Sequence, residues 1–420
     1  MKRLNKLLFI LYPFRDALGI NVGSTPFRIG EIYSVVYAIC ALRFKKTFRF
    51  REIDRRVRNI IVLLILNFCL SALVSYANIN YIDTDFFVKY LVRNGLTIFL
   101  LVSVIGTLIN YSPRLIVYGI KWNIILQIFF AIIFFVLSKR IFMNHVFSIW
   151  EFQTANYGDF ELPRFAGSSS EAGYLGPVLA MPLFYLLSNY KKELKWLICC
   201  LVLLIVTFST SNYLIIIITF ATIFYKKNKR NFFKLVLIFL VFLVFIVSIV
   251  MFFLKDSVLS MVIVSNFDKL IGYITLGAYG TLDWSASDRT EHLATALQMF
   301  LDGNILQIIF GHGTGAYSFS ALHNTNLLVQ TVEEAYNIYL STLTDRGILG
   351  LLIFVLIFYN IYKIKTRNSF SDALWFGLAI QLVHYMIVGN MWLYYVWQEV
   401  LFLIGYEKYL KIKGNEAQNN

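Results

Sequence analysis

The chain has 420 residues, of which 58% are hydrophobic and only 15% are charged. An ordinary globular domain carries about 25% charged residues, so this composition excludes a water-soluble domain whose apolar residues all fit inside a core. The formal net charge of +14 does not point to nucleic acid, because a membrane protein gathers Lys and Arg in its cytoplasmic loops.

The chain opens on a basic stretch, Met1 to Lys6, that runs into the apolar residues Leu7 to Tyr12. Pro13, Phe14, Arg15 and Asp16 follow with no small-residue cleavage site, so this start reads as a retained first span. Further apolar runs lie near 27–43, 58–77, 86–109, 121–138, 173–190, 196–210, 212–225, 234–254, 348–363, 372–390 and 393–411. With the first near 7–22, they predict an all-α, polytopic transmembrane bundle of about 12 spans, treated as one domain over 1–420. The cysteines, Cys40, Cys69, Cys199 and Cys200, lie inside these runs, where they act as small buried hydrophobes with no metal-ligand spacing.

Basic clusters give the sidedness. They fall at Arg43 to Arg58, Lys191 to Lys195, Lys226 to Lys234, Lys363 to Arg367 and Lys408 to Lys413. Twelve crossings put all five beside the N-terminus, so both termini are expected in the cytoplasm. Two long loops then fall on the outer side, 139–172 and 255–347. The second is net acidic, and Leu293, Ala296, Leu297, Phe300 and Leu301 recur in it at helical spacing, which predicts short helices.

In chain order, the first chemically informative residues are Lys89 and Arg93, charges inside an apolar run and four residues apart. They share one helix face and either line an anion cavity or snorkel to the interface. The loop 139–172 ends in Arg164, Gly167, three serines and Glu171. This pattern reads equally as an anion-binding mouth at a helix start and as a loop tied by an Arg164–Glu171 ion pair.

The larger loop carries Asp288 and Arg289, then Gly311-His312-Gly313-Thr314-Gly315. Three glycines in five residues mark a tight turn or a close backbone approach. No Rossmann strand precedes them, so this is no nucleotide fingerprint. His312 reads as a proton acceptor or as a turn residue. Glu333, Glu334, Tyr336 and Asn337, followed by Asp345, Arg346 and Gly347, lead into the next apolar run as a ligand shelf or a tyrosine-rich interfacial anchor.

Taken together, these residues resemble the O-antigen polymerase and ligase superfamily of bacterial glycan assembly. Arg164, Gly167 and Glu171 match an Arg-x-x-Gly and Glu pattern ahead of a span. Ser209, Thr210, Ser211 and Asn212 match a small polar turn between helices, with Asn212 where a basic residue is usual. Arg289 stands before an amphipathic helix and a Gly-x-Gly turn. Asn337, Gly347 and Gly350 keep the spacing of a further signature whose usual His is replaced by Tyr336, a departure that favours polymerase over ligase.

The resemblance implies a GT-C-like bundle in the bacterial cytoplasmic (inner) membrane. It implies a polysaccharide polymerase that joins polyprenyl-diphosphate-linked oligosaccharide repeat units on the outer face, for O-antigen, capsule or exopolysaccharide. An O-antigen-ligase-type transferase is the alternative, and a lipid-linked oligosaccharide flippase or transporter a more distant one. Such chemistry proceeds without a cofactor or a metal. The partners implied are the lipid-linked oligosaccharide, membrane lipids, a chain-length regulator and a flippase, with no nucleic acid. Arg164, Arg289, Arg93 and Lys89 are the candidates for holding the diphosphate. Glu171 and His312 are the candidate catalytic bases, and Asn337 and Tyr336 the candidates for contacting the glycan.

Overall fold

The computed structural model describes residues 7, 19–22, 25–43, 53–106, 111–137, 140–142, 148–150, 154–157, 160–168, 172–229, 245, 248, 257, 260–261, 264–265, 284–323, 335–364, 369–386 and 394–418. Most of the expected spans near 7–22 and 234–254, together with Glu171, Glu333 and Glu334, lie outside the described residues.

Helices dominate. The elements run β1 (Gly19–Val22), β2 (Thr25–Arg28), α1 (Ile29–Arg43), α2 (Arg55–Ala77), a 3-10 turn (Ile79–Tyr81), α3 (Thr84–Gly106) and α4 (Pro113–Leu137). The strands β3 (Arg140–Phe142), β4 (Ser148–Trp150), β5 (Thr154–Tyr157) and β6 (Phe160–Pro163) come next. They are followed by α5 (Ala172–Ser188), α6 (Tyr190–Ile205) and α7 (Thr210–Lys227). The chain continues through α8 (Trp284–Leu301), α9 (Ile305–Phe310), α10 (Ala316–His323), α11 (Ile338–Tyr362), α12 (Ser369–His384) and α13 (Tyr394–Gln418). Among the described residues four helices, α2, α3, α4 and α11, are long and apolar enough to cross a bilayer.

The strands pair only as three antiparallel hairpins, β1 with β2, β3 with β4 and β5 with β6. The apolar-run reading did not anticipate them. Gly19–Val22, expected at the end of the first span, is instead a strand in register with Thr25–Arg28. Gly158 and Asp159 stand between β5 and β6, a composition that two-residue hairpin loops favour.

The described residues form two compact units. The first holds β1, β2, α1–α3, the start of α4, α8 from Asp288 onward and α9–α13; the second holds the rest of α4, β3–β6, α5–α7 and the first turn of α8. In the first unit α2 packs along α11, α1 along α3, α9 against α11, and α12 against α13. The Asp54 carboxylate caps α2 by accepting from the Arg56 N–H at 2.9 Å, which satisfies one of the unpaired amides at the helix start. Lys411 of α13 bridges to the same carboxylate at 3.0 Å.

In the second unit α5 packs against both α6 and α7. It is apolar all round, as a core helix must be, with Leu175, Leu179, Leu183 and Leu186 fully buried. Pro177 and Pro182 sit inside it, where each removes one backbone donor.

Candidate functional site

In the second unit, Arg164 follows β6 directly and is half-buried. Its Nε is buried, with no hydrogen-bond partner among the described residues. The turn that carries it is pinned at both ends. The Phe165 N–H donates to the Val206 carbonyl at 3.3 Å, and the Phe165 ring meets Phe134 edge-on at 5.6 Å. Gly167 has φ +58°, and a Cβ there would collide with the Gln127 side chain. The Gln127 oxygen accepts from the Ser168 N–H at 3.0 Å, and the Gln127 amide donates to the Ser168 hydroxyl at 2.6 Å.

The polar turn 206–212 meets the start of α5. Asn212 donates to the Ala172 carbonyl at 2.8 Å and to the Thr207 hydroxyl at 3.0 Å. Ser209 and Ser211 share a hydrogen bond of 2.9 Å, and a Cβ on Gly173 would lie 3.4 Å from the Ser211 hydroxyl. Two motifs about 40 residues apart in sequence are therefore joined, the 206–212 turn bonding to the start of α5 and, through the Val206 carbonyl, to the turn that carries Arg164.

In the first unit, the Gly311–Gly315 turn is wedged between α2, the start of α3 and α11. The His312 N–H donates to the Thr344 carbonyl at 2.8 Å, and the Gly313 N–H to the Asp345 carbonyl at 2.9 Å. On the other side the Thr314 N–H donates to Ser75 Oγ at 2.7 Å, and the Ser71 and Thr314 hydroxyls lie 2.7 Å apart. Asp83 closes the junction: its N–H donates to the Gly315 carbonyl at 2.9 Å, while its carboxylate accepts from the Ser318 hydroxyl at 2.8 Å and from the Phe86 N–H at 3.1 Å. All three glycines of the turn have positive φ. The motif is a close backbone approach.

Opposite that turn, Gly347 breaks α11 at φ +64°, ψ −166°. A Cβ there would collide with the backbone of Ile309, so the break lets α9 seat against α11. Asp345 and Arg346, just before the break, are buried. The Arg346 guanidinium lies over the Tyr90 ring at 5.4 Å. A desolvated contact of this kind is worth about 2 kcal/mol.

Arg289, on α8, places its guanidinium 5.4 Å over the Tyr336 ring. His292, one turn further on and fully buried, meets the same ring edge-on at 5.5 Å. The His292 Nδ1 pairs with the Tyr317 hydroxyl. Asn337 caps α11, accepting from the Tyr339 and Leu340 N–H groups, and donates to the Met386 carbonyl at 3.0 Å. Arg289, Tyr336 and Asn337 thus share one neighbourhood.

His312 is half-buried, and its Nε2 is buried with no hydrogen-bond partner among the described residues. Burial lowers its pKa from the ordinary histidine value, against a smaller raising effect from a hydrogen bond to the Met299 backbone. On α3, Arg93 is buried on the packed face with Tyr90 and Asn94, while Lys89 is half-buried.

A family model described as O-antigen ligase matches residues 196–355. That segment is similar to the O-antigen ligase family. The kinship with the O-antigen polymerase and ligase superfamily that the loops suggested is borne out. No curated protein matches the chain.

The O-antigen ligase segment includes the 206–212 turn, Arg289, His312, Tyr336, Asn337 and the α11 break, whereas Lys89, Arg93, Arg164 and Glu171 precede it. Sequence reasoning passed over His292, Asp83 and the stacking of Arg346. It also passed over Glu399, buried in α13 and reached by the Gln381 amide at 3.5 Å. A charge inside an apolar run was a signal for Glu399. His292 gave none, because its partners lie on other elements.

Proposed function

We propose that this membrane protein is a polysaccharide polymerase that joins polyprenyl-diphosphate-linked oligosaccharide repeat units on the outer face of the cytoplasmic membrane. The observation that carries the reading is Arg164 in the second unit. Arg164, four residues before Ser168 and eight before the start of α5, has a buried Nε with no partner among the described residues. A buried polar group without a partner is costly, and a ligand phosphate would satisfy it, since guanidinium binds phosphate bidentately. Similarity of residues 196–355 to a glycan-assembly family supports taking that phosphate as part of a lipid-linked sugar.

In this mechanism a hydroxyl oxygen of one sugar attacks the anomeric carbon of the other. A new carbon–oxygen bond forms as the bond from that carbon to the carrier diphosphate breaks. The electron pair leaves on the diphosphate oxygen, and the hydroxyl proton passes to a base. The departing charge needs fixed cations, the largest stabilisation such a step draws on; Arg164 in the second unit, and Arg289, Arg93 and Lys89 in the first, are each a candidate for that role. Stacking on Tyr336 occupies the flat face of the Arg289 guanidinium, whereas phosphate binding uses its edge. His312 and Glu171 are the candidate bases, and the neutral form of His312 suits it to accept a proton. Tyr336 and Asn337 contact the glycan.

One observation favours a second reading: the matching family model is described as O-antigen ligase. Transfer of a finished glycan to a different acceptor would be the activity. Tyr336, in place of the usual histidine, weighs toward polymerase. The test is to incubate purified protein with lipid-linked repeat units. Lengthened chains support the polymerase; transfer to another acceptor supports the ligase. Translocation without new bonds would mean a flippase.

A further inference from the structure

The first unit contains a pocket of about 630 Å³, bordered by the end of α2, the 3-10 turn, α9 and α10. Pockets that take small organic ligands run to about 300–1,000 Å³, with aromatic walls and a few placed polar groups. This one has aromatic walls in Tyr81 and Phe319 and polar groups in Asn78, Gln307, His312 and His323. Among the described lining residues there is no Asp, Glu, Lys or Arg, so nothing in it neutralises a phosphate.

The polar groups are each half-committed, which leaves a defined set for a ligand. The Asn78 amide donates to the Val74 carbonyl at 3.0 Å, leaving its oxygen as an acceptor. The Gln307 oxygen accepts from the Asn304 N–H at 2.9 Å, leaving two amide hydrogens. His323 uses Nδ1 on the Phe319 carbonyl at 2.7 Å, leaving Nε2. Gly303 packs closely on the His312 ring, since a Cβ there would lie 3.1 Å from the His312 Nε2. Uncharged donors and acceptors between aromatic faces match the alternating hydroxyls and C–H faces of a neutral sugar ring.

We infer that this pocket is a binding subsite for a neutral sugar, and that it holds the acceptor residue with a hydroxyl toward His312. The acceptor role rests on the polymerase reading; sugar binding as such does not.

The experiment uses the full chain in lipid nanodiscs and saturation-transfer NMR. The probes are free neutral oligosaccharides of hexose and N-acetylhexosamine and, separately, inorganic diphosphate. The unaltered protein should transfer saturation to saccharide ring protons. Saccharide affinity should fall at least tenfold in the double variant Tyr81→Ala/Phe319→Ala and in Ser320→Trp, which fills the pocket without removing an aromatic wall. Inorganic diphosphate binding should hold within twofold in both. No saccharide binding by the unaltered protein, or saccharide affinity unchanged in both variants, would overturn the inference. Saccharide bound in the pocket by a protein that never lengthens lipid-linked chains would support the subsite and sink the polymerase reading. Normal chain growth with pocket-independent saccharide binding would do the reverse.

Discussion

Replacing Gly313 with alanine tests whether the glycine turn is a structural junction. Gly313 has φ +99°, a region where an L side chain costs about 1–3 kcal/mol. Its new Cβ would also lie 2.9 Å from the Ser75 Cα. That contact is with backbone, so no flexible side chain can swing away, and overpacking of this kind costs about 1–3 kcal/mol. The sum is about 2–6 kcal/mol, against a total stability on the order of 5–15 kcal/mol. Moving the turn also pulls the Thr314 N–H from Ser75 and displaces His312. Thermal melting of the purified protein in detergent should therefore drop by about 2–7 °C. Gly414→Ala is the control: nothing lies within 4 Å of a Cβ there, so alanine should be neutral or stabilise its helix by up to about 1 kcal/mol. A Gly313→Ala protein that melts with the control would refute the packing argument.

Arg164→Ala and Arg289→Ala should each abolish long glycan chains on a gel ladder while leaving membrane insertion intact, and Arg164→Lys should restore little, because an ammonium lacks the planar fork. Long chains persisting in both alanine variants would end the diphosphate assignment. Burial lowers the His312 pKa below its ordinary value, so the folded protein resists the proton that the unfolded chain accepts. The stability from this site is therefore full above about pH 6.5 and is lost as pH falls toward the folded pKa. The acid limb of a transfer-rate profile should lie below about pH 6.5 and vanish in His312→Gln; a limb above that value would remove His312 as the base. Gly176→Ala should destabilise the second unit, because its Cβ collides with the Asn212 amide. Adding Asn212→Ala relieves that collision, so the double variant should beat the sum of the singles by at least about 1 kcal/mol in a double-mutant cycle. Strict additivity would show that the two residues do not press on each other.

Much of the helical layout was legible in advance. The expected runs 58–77, 86–109 and 121–138 correspond to α2, α3 and α4 to within a few residues, except that α4 begins at Pro113. The close approach at Gly311–Gly315 was read from glycine spacing alone. The hairpins at β1–β2 and β5–β6 were hidden inside, or beside, apolar stretches whose period says nothing about pairing. Arg346 looked like an ordinary interfacial charge, yet it is buried over Tyr90. That Asn337 also caps α11 and bonds to Met386 was not legible in its spacing.

By itself the amino-acid sequence determined the helical, membrane-spanning character of this chain and its resemblance to glycan-assembly proteins, because run length, charge and motif spacing are local properties that need no partner. Which polar groups meet was decided only by the tertiary structure. The Arg164 turn meets the Ser209–Asn212 turn through the start of α5, and Thr314 meets Ser75. Arg289 and His292 converge on the Tyr336 ring in the same way. Hydrogen bonds and ring contacts act over a few ångströms, so they depend on how helices distant in the chain pack and leave no periodic trace along it.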